Sequence, residues 1–265
     1  MPGENRANPT LGTRGPMEVE AEAKPITALE IIYRDEFLVA VYKPAGLLVH
    51  RSEIDRRETR FAVQLLRDQL GQRVHTVHRL DKPTSGLMLF ALNTEDATRL
   101  SLDFQEQKIS KQYSALVRGF MPEQGHIDYA YALRYDPLDP ATHDQSRKLA
   151  AVTHYRCARQ FEVDIPLGRY PSARFSVLEL KPKTGRKHQL RRHMKHLSHP
   201  IAGDTTYGDG RQNQWMRTHL NCHRLMLCAT HLSFLHPRSG ETIEMNVKPD
   251  ASFSDVVNTI ARQSS

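Results

Sequence analysis

The sequence predicts an α+β fold built on a mixed, largely antiparallel sheet flanked by helices. Three observations predict it. Short runs of strand composition recur from residue 29 to residue 235. Helical periodicities fall between them without the regular strand–helix alternation of a doubly wound sheet. No internal repeat is present, and no apolar run approaches the roughly twenty residues that cross a bilayer.

Taken in order, residues 1–26 are rich in Pro, Gly, Asn and Glu without periodicity and read as a disordered tail. The remaining chain, 27–265, is expected to be a single domain. Leu29–Tyr33, a polar Arg34-Asp35-Glu36 corner and Phe37–Tyr42 form a hairpin ended by Lys43-Pro44. Ala62, Leu65, Leu66 and Leu70 share a helical face, and Gly71 supplies a stop. A strand over 75–80, a polar loop and a strand over 87–92 follow. Asn93 caps a helix through about residue 107, with Ala97, Leu100 and Phe104 inward. A strand is expected over 112–119, then an irregular Pro- and Asp-rich connection over 121–150, a strand over 175–180 and a helix over 186–197. An apolar strand over 225–235 ends at His236-Pro237.

The 265 residues carry 37 Lys and Arg against 30 Asp and Glu, a net charge of +7. The pI near 9.4 suits a polyanionic partner such as nucleic acid, although ordinary basic solubility gives the same balance. The N-terminal stretch has no apolar signal segment, and three cysteines cannot build a disulfide framework, so a cytoplasmic protein is expected.

Four constellations could carry chemistry. The first is the polar loop His78-Arg-Leu-Asp-Lys-Pro-Thr-Ser-Gly86 between two apolar strands. His78, Arg79 and Asp81 lie within four residues, followed by Thr84 and Ser85. A strand connection needs only a short turn, and a carboxylate held between strand ends is well positioned for reaction. The plainer reading, a capping Asp in a decorated turn, would suit an isolated Arg-Leu-Asp. The second is the stretch from Lys181 to Pro200, with four Lys, three Arg, four His and no acid. Within it Lys183, Arg186 and Lys187 are phosphate-binding candidates, and the Thr184-Gly185 turn offers N–H groups ahead of the helix. A solvated basic helix face is the alternative. The third is Lys111–Gly119, whose Tyr113 shares a strand face with Ala115 and Val117 and could be mere packing. The fourth, Cys222-His223, Cys228 and His231, invites a zinc reading, but its spacing matches no common finger or ribbon. The glycine-rich nucleotide loops and the H-E-x-x-H metallopeptidase pattern are absent.

The loop His78-Arg-Leu-Asp-x-x-Thr-Ser-Gly86 resembles the signature of the RluA family of pseudouridine synthases. Other family segments follow the same order: Lys43-Pro-Ala-Gly46, Lys111-x-Tyr113-x-Ala-x-Val, Thr184-Gly-Arg-Lys-His-Gln-Leu-Arg191, Gly203-Asp-x-x-Tyr-Gly208, Arg224-Leu-Met-Leu-Cys-Ala229 and Phe234-x-His-Pro237. Cys228 departs from the pattern, since many relatives place a His there. Within the family, Val49-His-Arg-Ser52, Arg67–Gln72, Val152–Arg156, Gly168-Arg-Tyr-Pro171 and Lys183–His193 are most similar to the type acting on uridine 65 of tRNA. The residues before Leu29 are too few and too polar for the S4-like domain that precedes many relatives acting on ribosomal RNA.

The resemblance implies the pseudouridine synthase catalytic fold with a central cleft. It also implies isomerisation of uridine to pseudouridine in the T-stem of tRNA: N1–C1′ breaks, the uracil turns, and C5 joins C1′. No second carboxylate for activating water is needed. Asp81 is implied as the catalytic nucleophile, by attack at C1′ or through a glycal route. A carboxylate in a water-poor pocket is disarmed by protonation unless a cation lies beside it, and family position makes Arg191 that cation. Tyr113 matches the active-site tyrosine that stacks on the base, and Leu225 or Leu227 closes the apolar side. Because the target must flip out, Arg79 is implied to fill the vacated space, with His78 and Thr84 beside it on the RNA. No metal or organic cofactor, membrane contact or protein partner is implied, and a monomer is expected. The same reaction on ribosomal RNA, or RNA binding without catalysis, are the alternatives. A pure binder has no use for Asp81, Tyr113 and Arg191 together.

Overall fold

A computed structural model describes residues 26–51, 59–132, 143–144 and 146–264. The tail expected over 1–26 therefore lies outside the described residues except for Ile26, as does part of the 121–150 connection. The first half of the fold begins with the expected hairpin, β1 (Glu30–Arg34) and β2 (Leu38–Lys43). Asp35 closes its turn by accepting the N–H groups of Phe37 and Leu38, each at 2.7 Å. Helix α1 (Ala62–Leu70), the short β3 (His75–Thr76), β4 (Ser85–Ala91) and α2 (Thr94–Gln105) complete this half. Every residue of β4 is buried, as a continuous apolar run in a central strand requires. Its side chains split by parity. Met88 and Phe90 join Val39, Val41, Ala62 and Leu66 under α1, while Leu87, Leu89 and Ala91 join Leu38, Ala40 and Leu100 under α2. Each large side chain so buried contributes about 1.5–3 kcal/mol. The Asn93 side chain accepts the Asp96 N–H at 2.9 Å, which starts α2 where the sequence places it.

The second half contains β5 (Ser110–Arg118), β6 (Gln124–Asp128), β7 (Val152–Val163), β8 (Ala173–Pro182), α3 (Gln189–His196), α4 (Gly210–Leu220), β9 (Leu227–Leu235), β10 (Thr242–Asn246) and α5 (Ala251–Gln263). The sheet runs β1-β2-β4-β9-β5-β8-β7-β6, with β10 on β9 and β3 on β4. All these pairings are antiparallel except β4–β9. That parallel contact covers only Ser85–Cys228 and Gly86–Ala229, so the two halves join at a narrow seam. Gly86 sits there at φ +108°, and a Cβ on it would run into the Ala229 backbone, so glycine is what permits the join.

The structure corrects several expectations. The strand expected over 75–80 stops at Thr76, because the His78 ring replaces further ladder pairing: its Nε2 accepts the Leu89 N–H at 3.0 Å. The helix expected from 186 begins at Gln189. The irregular connection contains β6, which pairs with the unexpected β7. The outward face of β7 is made of residues such as His154, Arg156 and Arg159, so no apolar alternation marks it. Helix α4 buries Gln212 and Asn213 beside Trp215 and Met216, which hides its inner face from an apolar count. Helix α5 does show the signal, with Phe253, Val256, Val257 and Ile260 buried behind an Asp250 N-cap.

Candidate active site

The seam positions a cluster of charged side chains. Asp81 lies in the loop entering β4, and that loop is braced from below. Lys43 is fully buried, and its ammonium donates to the carbonyls of Pro44, Leu47 and Lys82 at 2.9, 2.8 and 3.1 Å. Three N–H groups meet three carbonyls. Burial pushes the Lys43 pKa down to about 7; the Asp81 charge opposes that shift and the Arg224 charge adds to it. Gly46 donates its N–H to the same Lys82 carbonyl, and Thr84 donates to the Asp81 carbonyl at 3.0 Å. The Lys43-Pro-Ala-Gly46 segment is thus the cradle of the Asp81 loop.

Arg191 from α3 reaches Asp81 with Nη1 at 3.2 Å from Oδ2. Its other nitrogens hold Asp204 as a fork: Nε to Oδ2 and Nη2 to Oδ1, both 2.8 Å. Asp204 also accepts the N–H groups of Thr206 and Tyr207. Burial pushes the Asp204 carboxyl pKa up, but the Arg191 and backbone hydrogen bonds with the Arg191 charge outweigh it and hold the value below the usual range. Burial likewise works against the Arg191 cation, and the two carboxylates outweigh it. Gly203, at φ +76°, packs its bare Cα against the Arg224 carbonyl, which sets Asp204 at the correct depth. His188 completes the cluster: Nε2 lies 3.8 Å from Asp81 Oδ1, and Nδ1 meets the Tyr207 hydroxyl at 3.0 Å. Its backbone, at φ +58°, is in the left-handed region that a non-glycine residue rarely occupies.

Tyr113 lies half-buried on β5 opposite Ala229, and its hydroxyl has no hydrogen-bond partner among the described residues. Burial, then the charges of Asp81 and Cys228, push its phenol pKa up, so it stays protonated at neutral pH. Leu225 and Leu227 are buried in the core cluster against which Tyr113 packs. Arg79 is exposed two residues before Asp81.

Other expected site residues are placed differently. His78 turns inward, stacking on Phe104 at a 4.4 Å centroid separation. Burial, helped by the Lys111 charge, pushes its pKa down to about 3. Thr84 is buried and serves the turn. Lys183, Arg186 and Lys187 are exposed. The Arg186 N–H, however, donates to the Gln189 side chain, which also takes the Thr184 hydroxyl and donates to Val152 and Thr153. The turn before α3 is therefore tied down by Gln189 instead of offering all its amides to an anion. Sequence reasoning assigned no role to Lys43, His188, Asp204 or Tyr207, although each stands inside a motif it had singled out. Cys228 meets the Tyr42 hydroxyl at 3.4 Å and His231 pairs with Asn246, and among the described residues no group of three or more His, Cys, Asp or Glu is placed to hold a metal ion.

Among the described residues no helix is long and apolar enough to cross a membrane. A family model for RNA pseudouridylate synthase matches residues 37–196. The tRNA pseudouridine synthase C of Yersinia pestis is 52% identical over 223 residues, covering 84% of this chain and 87% of the relative. That of Pasteurella multocida is 48% identical over 231 residues, covering 87% and 95%. The Pectobacterium carotovorum relative of the same name is 52% identical over 87% of this chain, which spans 62% of that relative's length. The solved structure of Human RNA Pseudouridylate Synthase Domain Containing 1 superposes with a TM-score of 0.66 at 26% identity, covering 87% of this chain and 86% of the other. The matched span runs from the first hairpin to α3 and so includes Asp81, Tyr113 and Arg191, the cluster that the seam of the sheet brings together: the chain belongs to the RNA pseudouridylate synthase family.

Proposed function

We propose that this chain isomerises uridine to pseudouridine in tRNA, at uridine 65 of the T-stem. Residues 27–265 act as one cytoplasmic, monomeric catalytic domain. The observation that carries the reading is the relay Asp204–Arg191–Asp81, which holds one partly exposed carboxylate near Tyr113. Asp81 attacks C1′, and the N1–C1′ pair leaves with the uracil. The base turns against the Tyr113 ring and the wall beyond it formed by Leu225 and Leu227. C5 then attacks C1′, expelling Asp81; the C5 proton is lost and N1 takes one up. Atoms balance without water, metal or organic cofactor. Arg79 fills the gap left by the flipped nucleotide, and unstacking, about a few kcal/mol, is offset by backbone contacts from Lys183, Arg186 and Lys187.

Tritium release from transcripts labelled at C5 of uridine, with purified protein and EDTA, tests the reaction. Release from tRNA and not from ribosomal RNA supports the reading, the reverse replaces the substrate, and no release from either ends it. Two variants extend the test. Tyr113→Phe retains tRNA affinity and part of the rate, whereas Tyr113→Ala loses stacking of about 1–3 kcal/mol; equal rates for the two would remove the ring from the base. Lys183→Ala with Lys187→Ala weakens tRNA binding and flattens its salt dependence by roughly one unit of slope per lost phosphate contact. An unchanged slope would take this segment out of the footprint.

A further inference from the structure

A cavity in the second half of the fold takes no part in this chemistry. It encloses about 220 Å3 between the end of β5, the 167–170 loop and the start of α4. Three arginines line it, Arg118, Arg169 and Arg211, with Asp209 as the one lining carboxylate. Asp209 is already committed. Its Oδ1 accepts the N–H groups of Arg211 and Gln212, and its Oδ2 meets Arg118 Nη1 at 2.8 Å. Neither Arg169 nor Arg211 forms a contact ion pair among the described residues, and three guanidiniums face one carboxylate, so the cavity keeps a net positive charge.

The second observation is independent of charge. Gln212 lines the same cavity and is 1% exposed, yet neither its amide nitrogen nor its amide oxygen has a hydrogen-bond partner. Asp209-Gly-Arg-Gln212 has the spacing of a capping box, in which the Gln would return to the Asp209 N–H. It does not. A buried amide left unsatisfied costs free energy, and such groups usually have a partner that binds them. The walls are fixed in advance: Leu167 and Tyr170 exchange two backbone hydrogen bonds, and Trp215 Nε1 ties Pro166 to α4 at 3.1 Å. The Tyr170 hydroxyl accepts Arg169 Nη2 at 3.1 Å, which fixes that guanidinium.

We infer that this cavity is a phosphate subsite for the RNA backbone, held by Arg169, Arg211 and the Gln212 amide, at a nucleotide other than the flipped one. The inference rests on the proposed RNA substrate. Forked guanidiniums and an amide N–H₂ are donors suited to phosphate oxygens. Five residues separate Asp204, behind the catalytic arginine, from Asp209, a reach of at most about 18 Å.

Binding of a tRNA transcript, measured from about 50 to about 200 mM salt, decides it. Arg169→Ala with Arg211→Ala raises Kd about tenfold and makes the salt slope shallower by about one, while tritium release at saturating tRNA keeps its rate. Gln212→Leu also weakens tRNA binding, yet leaves or raises the Tm of the RNA-free protein, because it removes two unsatisfied buried groups. A lower Tm with unchanged affinity makes Gln212 a capping residue and overturns its part. Should that variant not fold, the arginine pair decides alone, and an unchanged Kd and slope overturns the subsite. Inorganic phosphate separates the sources: if it raises the wild-type Tm and not that of the arginine pair, while tRNA affinity ignores the pair, the ligand is free phosphate and the RNA assignment falls. Weaker tRNA binding by the pair, in a protein that releases no tritium from any RNA, keeps the subsite and defeats only the catalytic reading.

Discussion

Replacing Asp81 with asparagine lowers tritium release from tRNA by about 10⁴-fold or more, while Kd for the same tRNA shifts by no more than a few-fold. The two outcomes separate because of how Arg191 is held. Its fork is committed to Asp204, with two contacts at 2.8 Å, and only Nη1 turns to Asp81. Removing the Asp81 charge therefore leaves the guanidinium paired and in place. The asparagine keeps the volume and a carbonyl oxygen toward Nη1, and the Asp81 side chain is 26% exposed, so the cost to folding is small, about 1 kcal/mol or less. What is lost is the anionic oxygen that would bond C1′. Release near the wild-type rate would remove Asp81 from the chemistry, and a parallel loss of affinity and Tm would make it a structural residue.

The sequence was most informative where one residue serves both fold and motif. The Asn93 cap, the Gly71 stop and the β1–β2 hairpin act through neighbours in the chain, so pattern reading locates them. Asp81, Tyr113 and Arg191 come from three separate segments and were legible as a set only through the motifs that carry them. Their proximity is a property of the β4–β9 seam, and no periodicity encodes a parallel contact two residues long. Asp204 and Lys43 illustrate the harder case. Both are charges buried almost completely, and burial of a charge is normally disfavoured, so composition argues against placing them inside. Only the partners, a guanidinium fork and three carbonyls, make those positions possible. His78 is the opposite case: a polar residue beside the catalytic loop reads as a ligand from sequence, and in the fold its Nε2 accepts the Leu89 N–H while its ring stacks on Phe104.

Asp204→Asn is the variant in which fold and chemistry fail together. Arg191 is nearly inaccessible and Asp204 wholly so, which places the fork out of water. Neutralising one partner leaves a buried guanidinium with a single carboxylate at its edge, a loss of roughly 3–5 kcal/mol. For a domain of this size that is on the order of 10 °C in Tm. Released from its fork, Arg191 has only Asp81 to pair with, so turnover falls as well. The pH dependence carries the sign that identifies the cause. The Asp204 carboxyl is held below its ordinary 3.8 in the folded protein, so its contribution is complete above that value and disappears as the pH falls through the lower folded-state value. The Tm gap between wild type and Asp204→Asn should therefore be full near neutrality and shrink below about pH 4. A gap independent of pH in that range would mean that the loss comes from repacking around residue 204 rather than from its charge, and the relay from Asp204 through Arg191 to Asp81 would lose its electrostatic basis.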